Sequence, residues 1–175
     1  MEIRSQNFIK NYFLERLLDT RLYFMKEKGN ETDFLDVIRK IKAILIIVPI
    51  DRSEEINSRK FIKDLQSALG KVNISTLDLT TMRKSDTNWL GVPNHHYLAN
   101  IQKGGFDLIM DLNSHQDRVC VYLGALTKAP LRLHTSRGKF DKIYNLEIRT
   151  AGDSSLNDRY QNILSYLSRL RDKTD

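Results

Sequence analysis

The sequence has 175 residues, of which 41% are hydrophobic and 29% charged, a balance that excludes collagen-like, disordered and disulfide-stapled chains and predicts a soluble globular protein. The 28 basic and 22 acidic side chains give a net charge of +6, and the single cysteine, Cys120, allows no internal disulfide, which favours a reducing, cytoplasmic compartment. The longest apolar run, Ala43 to Ile50, is too short to span a membrane, and the first residues lack the layout of a signal peptide, so we expect no transmembrane segment.

The first part of the chain is predicted to be helical. Apolar side chains recur at spacings of three and four from Ile9 to Met25, which predicts one long helix over residues 6–28. A short helix over residues 33–40 follows, with Thr32 as its cap. We interpret the aromatic-rich stripe of the long helix as a cover for the core. A partner-binding surface is the alternative, and the mixed charges of the polar face weaken a membrane-surface role.

A strand, a helix and a second strand come next. The unbroken β-branched run from Ala43 to Ile50 predicts a parallel strand that is buried on both faces. A helix is predicted over residues 54–69, with Ser53 as its cap and Gly70 at its end, and a strand over residues 72–79. A connection of this length predicts a right-handed crossover between parallel strands.

The alternation of helices and strands continues to the end of the chain. After a loop over residues 80–94, helices are predicted over residues 95–103 and 116–127, on either side of a strand over residues 106–112. Two short strands, over residues 130–135 and 143–148, precede a final helix over residues 156–171.

These elements predict an α/β fold, a three-layer αβα Rossmann-like sandwich with a mostly parallel sheet and long N-terminal and C-terminal helices. We expect an N-terminal helical extension over residues 1–40 and a single Rossmann-like domain over residues 41–175.

Polar residues after the predicted strands form a candidate crevice. Ligands of parallel sheets bind beyond the carboxyl ends of the strands, and the N–H groups of helix N-termini there favour anions such as phosphate. The candidate lining residues are Asp51, Ser53, Asn113, Ser114, His115, Arg118 and Arg137. No glycine-rich phosphate loop accompanies them, so a phosphate-bearing ligand is possible but no cofactor is predicted.

The surplus of positive charge is concentrated in residues 115–150, which hold 7 cations and 3 anions. We call its main members the basic patch: Lys128, Arg132, Arg137, Lys139 and Lys142. Such a patch attracts phosphates, nucleic acid or an acidic partner, although a solvated face that only maintains solubility is the interpretation we favour.

No residue is assigned a catalytic role. The four histidines lack a metal-binding spacing, so no metal site is predicted. Ser114 and His115 are adjacent but lack the elbow motif of hydrolases, and Cys120 is predicted to be a small core residue. Asp107 and Asp111 lie on one face of a predicted strand, where a structural role is more common than acid–base chemistry.

Three segments carry a family resemblance: Phe106-Asp-Leu-Ile-Met-Asp-Leu112, Leu123-Gly-Ala-Leu-Thr-Lys-Ala-Pro-Leu-Arg132 and Ile143-Tyr-Asn-Leu-Glu-Ile148. They resemble the N-terminal domain of the ADP-heptose glycosyltransferases (the heptosyltransferase family) over about residues 43–150. The segment Asn88-Trp-Leu-Gly-Val-Pro93 also looks like a small, uncharacterised bacterial family of single-domain proteins.

The resemblance implies a Rossmann-like fold, and the departures from it imply a loss of catalysis. The family has a Gly-Asp turn after its first strand, whose Asp is the proposed base. Here the turn is Pro49-Ile-Asp51-Arg-Ser53, in which Asp51 is the nearest counterpart. The family binds its nucleotide-sugar donor mainly in a second domain, whereas we expect only one helix after residue 150.

The leading hypothesis is therefore a non-catalytic relative of the heptosyltransferase N-terminal half that acts by protein–protein interaction. Its long N-terminal helix would contact a protein partner or a second copy of the chain. The alternative is a small-ligand or nucleotide-sugar-binding enzyme, glycosyltransferase-like, that uses the strand-end crevice. A third hypothesis is RNA binding through residues 128–142. No aromatic stacking motif supports it, so nucleic acid is not the expected partner.

Overall fold

The computed structural model describes residues 9–20, 34–148 and 154–172. The helices, in chain order, are α1 (9–20), α2 (Phe34–Arg39), α3 (Glu55–Leu69), α4 (His95–Gln102), α5 (Arg118–Leu126) and α6 (Leu156–Asp172). The strands are β1 (Ala43–Ile47), β2 (Asn73–Leu77), β3 (Leu108–Asp111) and β4 (Leu131–His134). Short 3-10 turns cover Arg52–Glu54, Leu79–Thr81 and Lys84–Asp86.

The four strands form one parallel sheet in the order β2-β1-β3-β4. Strand β1 is central, with Ile44 opposite Ile74 of β2 and opposite Leu108 of β3. Both faces of a central parallel strand are covered, which explains why its sequence is continuously apolar instead of alternating. The predicted central, doubly buried strand is confirmed.

Helices cover both faces of the sheet and give it three layers. On one face, Ile44 and Ile46 pack in a core cluster with residues of α2, α3 and α6, in which the rings of Phe61 and Tyr160 stack with centroids 4.8 Å apart. On the other face, Leu45 and Ile47 pack with residues of α1, α4 and α5. The structure therefore has the expected three-layer αβα Rossmann-like architecture.

Helix α1 belongs to the second of these core clusters. Leu14 and Leu18, one turn apart, are 4% and 0% exposed and pack in the cluster that contains Leu45 and Ile47. The remainder of the helix predicted over residues 6–28, and the predicted Thr32 cap, lie outside the described residues. The division of the chain after residue 40 stays a prediction.

The predicted fifth strand, over residues 143–148, is wrong. Among the described residues it is reduced to one bridge, between Leu146 and Leu133 of β4. The side chain of Asn145 occupies the positions of backbone ladder bonds: its Oδ1 accepts from Arg132 N at 2.8 Å, and its Nδ2 donates to Pro130 O at 2.7 Å. Because a side chain satisfies these edge groups of β4, no continuous strand forms there.

Two predicted helix starts are also corrected. Ser53 does not cap the helix after β1. Instead, the carboxylate of Asp51 accepts from Ser53 N at 2.8 Å, and a 3-10 turn precedes α3. Helix α5 begins at Arg118 and not at residue 116, because the carboxylate of Asp117 accepts from the free N–H groups of the first turn.

Candidate functional site

A buried polar cluster lies where β3 and β4 end; its members are Asp111, Asn113, Cys120, His134 and Tyr144. Asp111, the last residue of β3, is 1% exposed. Its Oδ2 accepts from the Tyr144 hydroxyl at 2.8 Å, and its Oδ1 accepts from Asn113 Nδ2 at 2.7 Å. The carboxyl group is thus held by side chains from two separate segments of the chain.

His134, the last residue of β4, completes the cluster. Its side chain is 2% exposed, and its Nε2 lies 3.6 Å from Asp111 Oδ2 without a hydrogen-bond partner. Its Nδ1 lies 2.8 Å from Ser136 N, which donates to it, and 2.6 Å from Ser136 O. Nδ1 therefore has a hydrogen-bond partner in either tautomer of the neutral ring.

Burial governs the protonation of this cluster. Burial raises the pKa of the Asp111 carboxyl, against the opposing effects of His134 and of the hydrogen bonds from Asn113 and Tyr144. Burial likewise raises the pKa of the Tyr144 hydroxyl well above its usual value. Cys120 is fully buried, as predicted, and its pKa is raised for the same reason, so its sulfur stays a thiol.

The amide of Asn113 bridges the point at which the strand order reverses. This point lies between β1 and β3, where ligands of doubly wound sheets bind. Asn113 Oδ1 accepts from Ile50 N at 2.8 Å, which joins the loop after β1 to the loop after β3. Asn113 therefore ties together the two loops that border the position at which the sequence predicts a ligand crevice.

A cavity of about 770 Å³ lies farther along the same edge of the sheet, beyond the end of β4. Its volume is within the range of small-molecule sites, about 300–1,000 Å³. The lining residues are Ser114, His115, His134, Thr135, Ser136, Arg137, Asp141, Tyr144, Leu146, Glu147, Ile148, Leu156 and Arg159. We call it the β4 cavity. The lining combines hydroxyl groups, two arginines and two carboxylates with aliphatic side chains.

Three of the predicted site residues, Ser114, His115 and Arg137, line the β4 cavity. Arg137 donates from Nε to Glu147 Oε1 at 2.8 Å, and its Nη2 contacts the same oxygen, so its charge is compensated. Asn113, by contrast, is buried in the polar cluster described above.

The other predicted site residues lie outside the β4 cavity. The hydrogen bond from Ser53 N, in an exposed turn, holds the pKa of the Asp51 carboxyl below its usual value. Arg118 donates to Glu15 Oε1 of α1 at 2.9 Å. Asp51, Ser53 and Arg118 are thus engaged with their own surroundings.

Sequence reasoning did not identify Tyr144, His134 and Arg159 as parts of one site. Tyr144 is 33 positions from Asp111, and Arg159 is 23 positions from its partner Ser136. No local motif relates residues at such separations, and only the folded chain brings them together.

The remaining sequence candidates have structural roles or lie on the surface. Asp107 Oδ2 accepts from Lys42 N at 2.8 Å and from Ala43 N at 3.0 Å, so it secures the start of β1. His95 and His96 are exposed on α4. Within the described ranges, no group of three or more His, Cys, Asp or Glu side chains is placed to hold a metal ion.

Much of the basic patch is engaged by other groups. Arg132 donates from Nε to Ile143 O and from Nη1 to Ala129 O, both at 2.7 Å, and burial lowers its pKa. Lys139 forms an ion pair with Glu15 at 3.1 Å. With Arg137 also paired, the exposed charge of the patch is carried mainly by Lys128 and Lys142.

An apolar surface lies on the outer side of α1. We call it the aromatic patch; its members are Ile9, Tyr12, Phe13, Leu17 and Trp89, which are 40–62% exposed. The Phe13 ring meets the Trp89 ring edge-on at 5.8 Å and the Tyr12 ring at 6.0 Å. Contiguous apolar patches on the surface of a protein commonly mark the sites at which it binds a partner.

Comparisons with known proteins identify the family. Within residues 9–20, 34–148 and 154–172, no helix combines the length and the apolar character that a membrane span requires. No curated protein and no solved structure matches the sequence, so the resemblance to heptosyltransferases stays a prediction. Residues 10–170 match the model of a family described as "Family of unknown function (DUF6913)". Because the match covers most of the sequence, the chain belongs to the DUF6913 family.

Proposed function

We propose that this protein is a non-catalytic interaction module that binds another protein through the aromatic patch. The observation that carries the proposal is the exposure of Phe13 and Trp89, which are 50% and 62% accessible and in contact with each other. Exposed aromatic side chains are the typical anchors of protein interfaces. Leu14 and Leu18 bury the opposite face of α1 in the core, so the patch stands on a rigid support.

The charges around the aromatic patch favour a partner with an acidic rim. Two copies of a chain with a net charge of +6 repel each other, which disfavours a symmetric dimer. The charged residues of α1 and those paired with it are the cations Lys10, Arg16, Arg118 and Lys139 and the anions Glu15 and Asp19. The surplus is positive, so the expected partner is a different protein whose apolar contact surface is bordered by Asp and Glu.

The turn after β1 supports a role without catalysis. Asp51 is the counterpart of the proposed base in the heptosyltransferase resemblance, yet its carboxylate is held by Ser53 N and does not line the β4 cavity. We keep a distant relation to the heptosyltransferase N-terminal half as part of the proposal, because an all-parallel sheet is compatible with it.

The test compares the wild type, the double variant Phe13→Ser/Trp89→Ser and the control Ile56→Ser. Ile56 is 80% exposed on α3, so its replacement removes an exposed apolar side chain outside the aromatic patch. The three chains are immobilised, and proteins that bind to the wild type and to Ile56→Ser but not to the double variant are identified. Each of these proteins is then purified and titrated against all three chains.

The expected partner has an acidic contact surface, and the double variant binds it at least about 100-fold more weakly, while Ile56→Ser binds normally. Two results would contradict the proposal. One is an equal affinity of all three chains for every purified candidate. The other is a wild-type homodimer in light scattering that the double variant abolishes, since the occupant would then be a second copy.

A further inference from the structure

We propose that the β4 cavity binds a small organic oxyanion, held by Arg159 and Ser136. This inference is independent of the aromatic patch. It rests first on Arg159, which is partly buried in the cavity wall. Arg159 Nη1 donates to Ser136 Oγ at 2.8 Å, and no carboxylate of the described residues forms an ion pair with Arg159.

A guanidinium group in this position has unused donors. It carries five N–H donors, and it binds carboxylates and phosphates with two parallel hydrogen bonds. Because Ser136 Oγ accepts from Arg159, the hydroxyl proton of Ser136 is free to be donated to a ligand. The other arginine of the cavity, Arg137, is compensated by Glu147, so Arg159 is the cavity cation without a carboxylate in the described chain.

His134 forms part of the cavity wall between the proposed anion site and the buried polar cluster. Its side chain lines the β4 cavity but is 98% shielded from solvent, and its Nε2 has no hydrogen-bond partner. When Nδ1 accepts from Ser136 N, the neutral ring carries its proton on Nε2, which is then a donor without an acceptor. Nε2 lies 3.6 Å from Asp111 Oδ2 and is itself shielded from solvent, so its proton faces the buried polar cluster and we do not count it among the donors for the ligand.

The N-terminus of α6 does not supply the anion site. Ser155 N donates to Asp158 Oδ2 at 3.1 Å, and Asp158 N donates to Ser155 Oγ at 3.2 Å, which together form a capping box. The carboxylate of Asp158 already lies at the positive end of the helix. We therefore assign the anion to side-chain donors and not to backbone N–H groups.

The rest of the lining indicates the body of the ligand. Leu146, Ile148 and Leu156 provide an apolar wall, and the hydroxyl groups of Ser114 and Thr135 can form hydrogen bonds with hydroxyl groups of a ligand. A molecule that carries one oxyanion on a hydroxylated ring matches this combination and a volume of about 770 Å³. The phosphate-bearing ligand expected at the strand ends is accordingly assigned to this cavity.

The test is isothermal titration calorimetry of the full chain with four probes: inorganic phosphate, ribose 5-phosphate, adenosine 5′-monophosphate and glucuronate. The variants are Arg159→Gln and Ser136→Ala. The control is Arg169→Gln, an exposed arginine of α6 outside the cavity. Circular dichroism of each variant confirms that it is folded.

We expect saturable binding of at least one ring-bearing probe, weakened about 10- to 100-fold in Arg159→Gln, weakened in Ser136→Ala and unchanged in Arg169→Gln. A preference for the phosphate esters over glucuronate identifies a phosphorylated ligand, and the reverse identifies a carboxylate. Binding of no probe at millimolar concentration, or equal affinities for Arg159→Gln and Arg169→Gln, would overturn the inference. Phe13→Ser leaves the affinity unchanged, which separates this result from the docking proposal.

Discussion

The two faces of α1 can be separated by truncating neighbouring leucines. Leu18 is 0% exposed in the core cluster shared with β1, whereas its neighbour Leu17 is 40% exposed in the aromatic patch. Replacing a fully buried leucine by alanine removes apolar contacts and leaves a cavity, so Leu18→Ala is expected to lower the free energy of unfolding by about 3 kcal/mol. Leu17→Ala leaves no enclosed cavity, and its cost is expected to stay below about 1 kcal/mol.

Urea denaturation followed by circular dichroism measures this difference. With a slope of about 2 kcal/mol per molar urea, Leu18→Ala shifts the midpoint by about 1.5 M, and its Tm falls by about 6–12 °C. Leu17→Ala instead weakens binding of the partner. Equal unfolding midpoints for the two variants would refute the assignment of Leu18 to the buried face of α1 and of Leu17 to its exposed face.

Three further predictions concern the buried polar cluster, the backbone conformation of Lys128 and the ion pairs of Glu15. Tyr144→Phe removes the hydroxyl that donates to Asp111 and is expected to lower the free energy of unfolding by about 2 kcal/mol in thermal denaturation. Lys128 follows α5 with a φ of 60°, so Lys128→Gly is expected to stabilise the protein by about 1 kcal/mol, and an unchanged Tm would contradict this. Hydrogen bonds from Lys139 and Arg118 hold the pKa of the Glu15 carboxyl below its usual value of 4.5. The stabilisation from Glu15 is therefore present above pH 4.5 and is lost as the pH falls through the lowered pKa, so the stability difference between wild type and Glu15→Gln should shrink in acid urea titrations.

The sheet could be predicted because its signals are local. The run from Ala43 to Ile47 is apolar at every position, and a strand that is covered on both faces requires this pattern wherever it lies in the chain. Leucines of α1 at helical spacing likewise indicated a buried stripe, and Leu14 and Leu18 are buried. Exposure of the neighbouring Phe13 depends on which elements surround α1, and periodicity does not specify that.

The errors arose where side chains replace backbone hydrogen bonds. Residues 143–148 alternate as a strand does, but Asn145 binds the edge of β4 with its amide, and the chain leaves the sheet. Similarly, Asp51 is a better acceptor for the turn after β1 than Ser53, since its carboxylate reaches the N–H group two positions ahead.

The candidate site was predicted only in part, because its key contacts join distant positions. Ser114 and Arg137 were identified from their places after strands, which is a property of the fold class. The pairing of Arg118 with Glu15 spans 103 positions, and it removes Arg118 from the predicted crevice. Such pairings depend on how α1 packs, for which the sequence offers no charge pattern.

Trp89 provides the most direct test of the proposed function because it is the single tryptophan of the chain and contacts Phe13 in the aromatic patch. The chain labelled with 5-fluorotryptophan gives one ¹⁹F resonance, which is recorded before and after addition of the identified partner. The account predicts a shifted or broadened resonance on binding, since a side chain that is 62% exposed becomes covered. A partner that binds while this resonance stays unchanged would contradict the assignment of the aromatic patch as the docking surface.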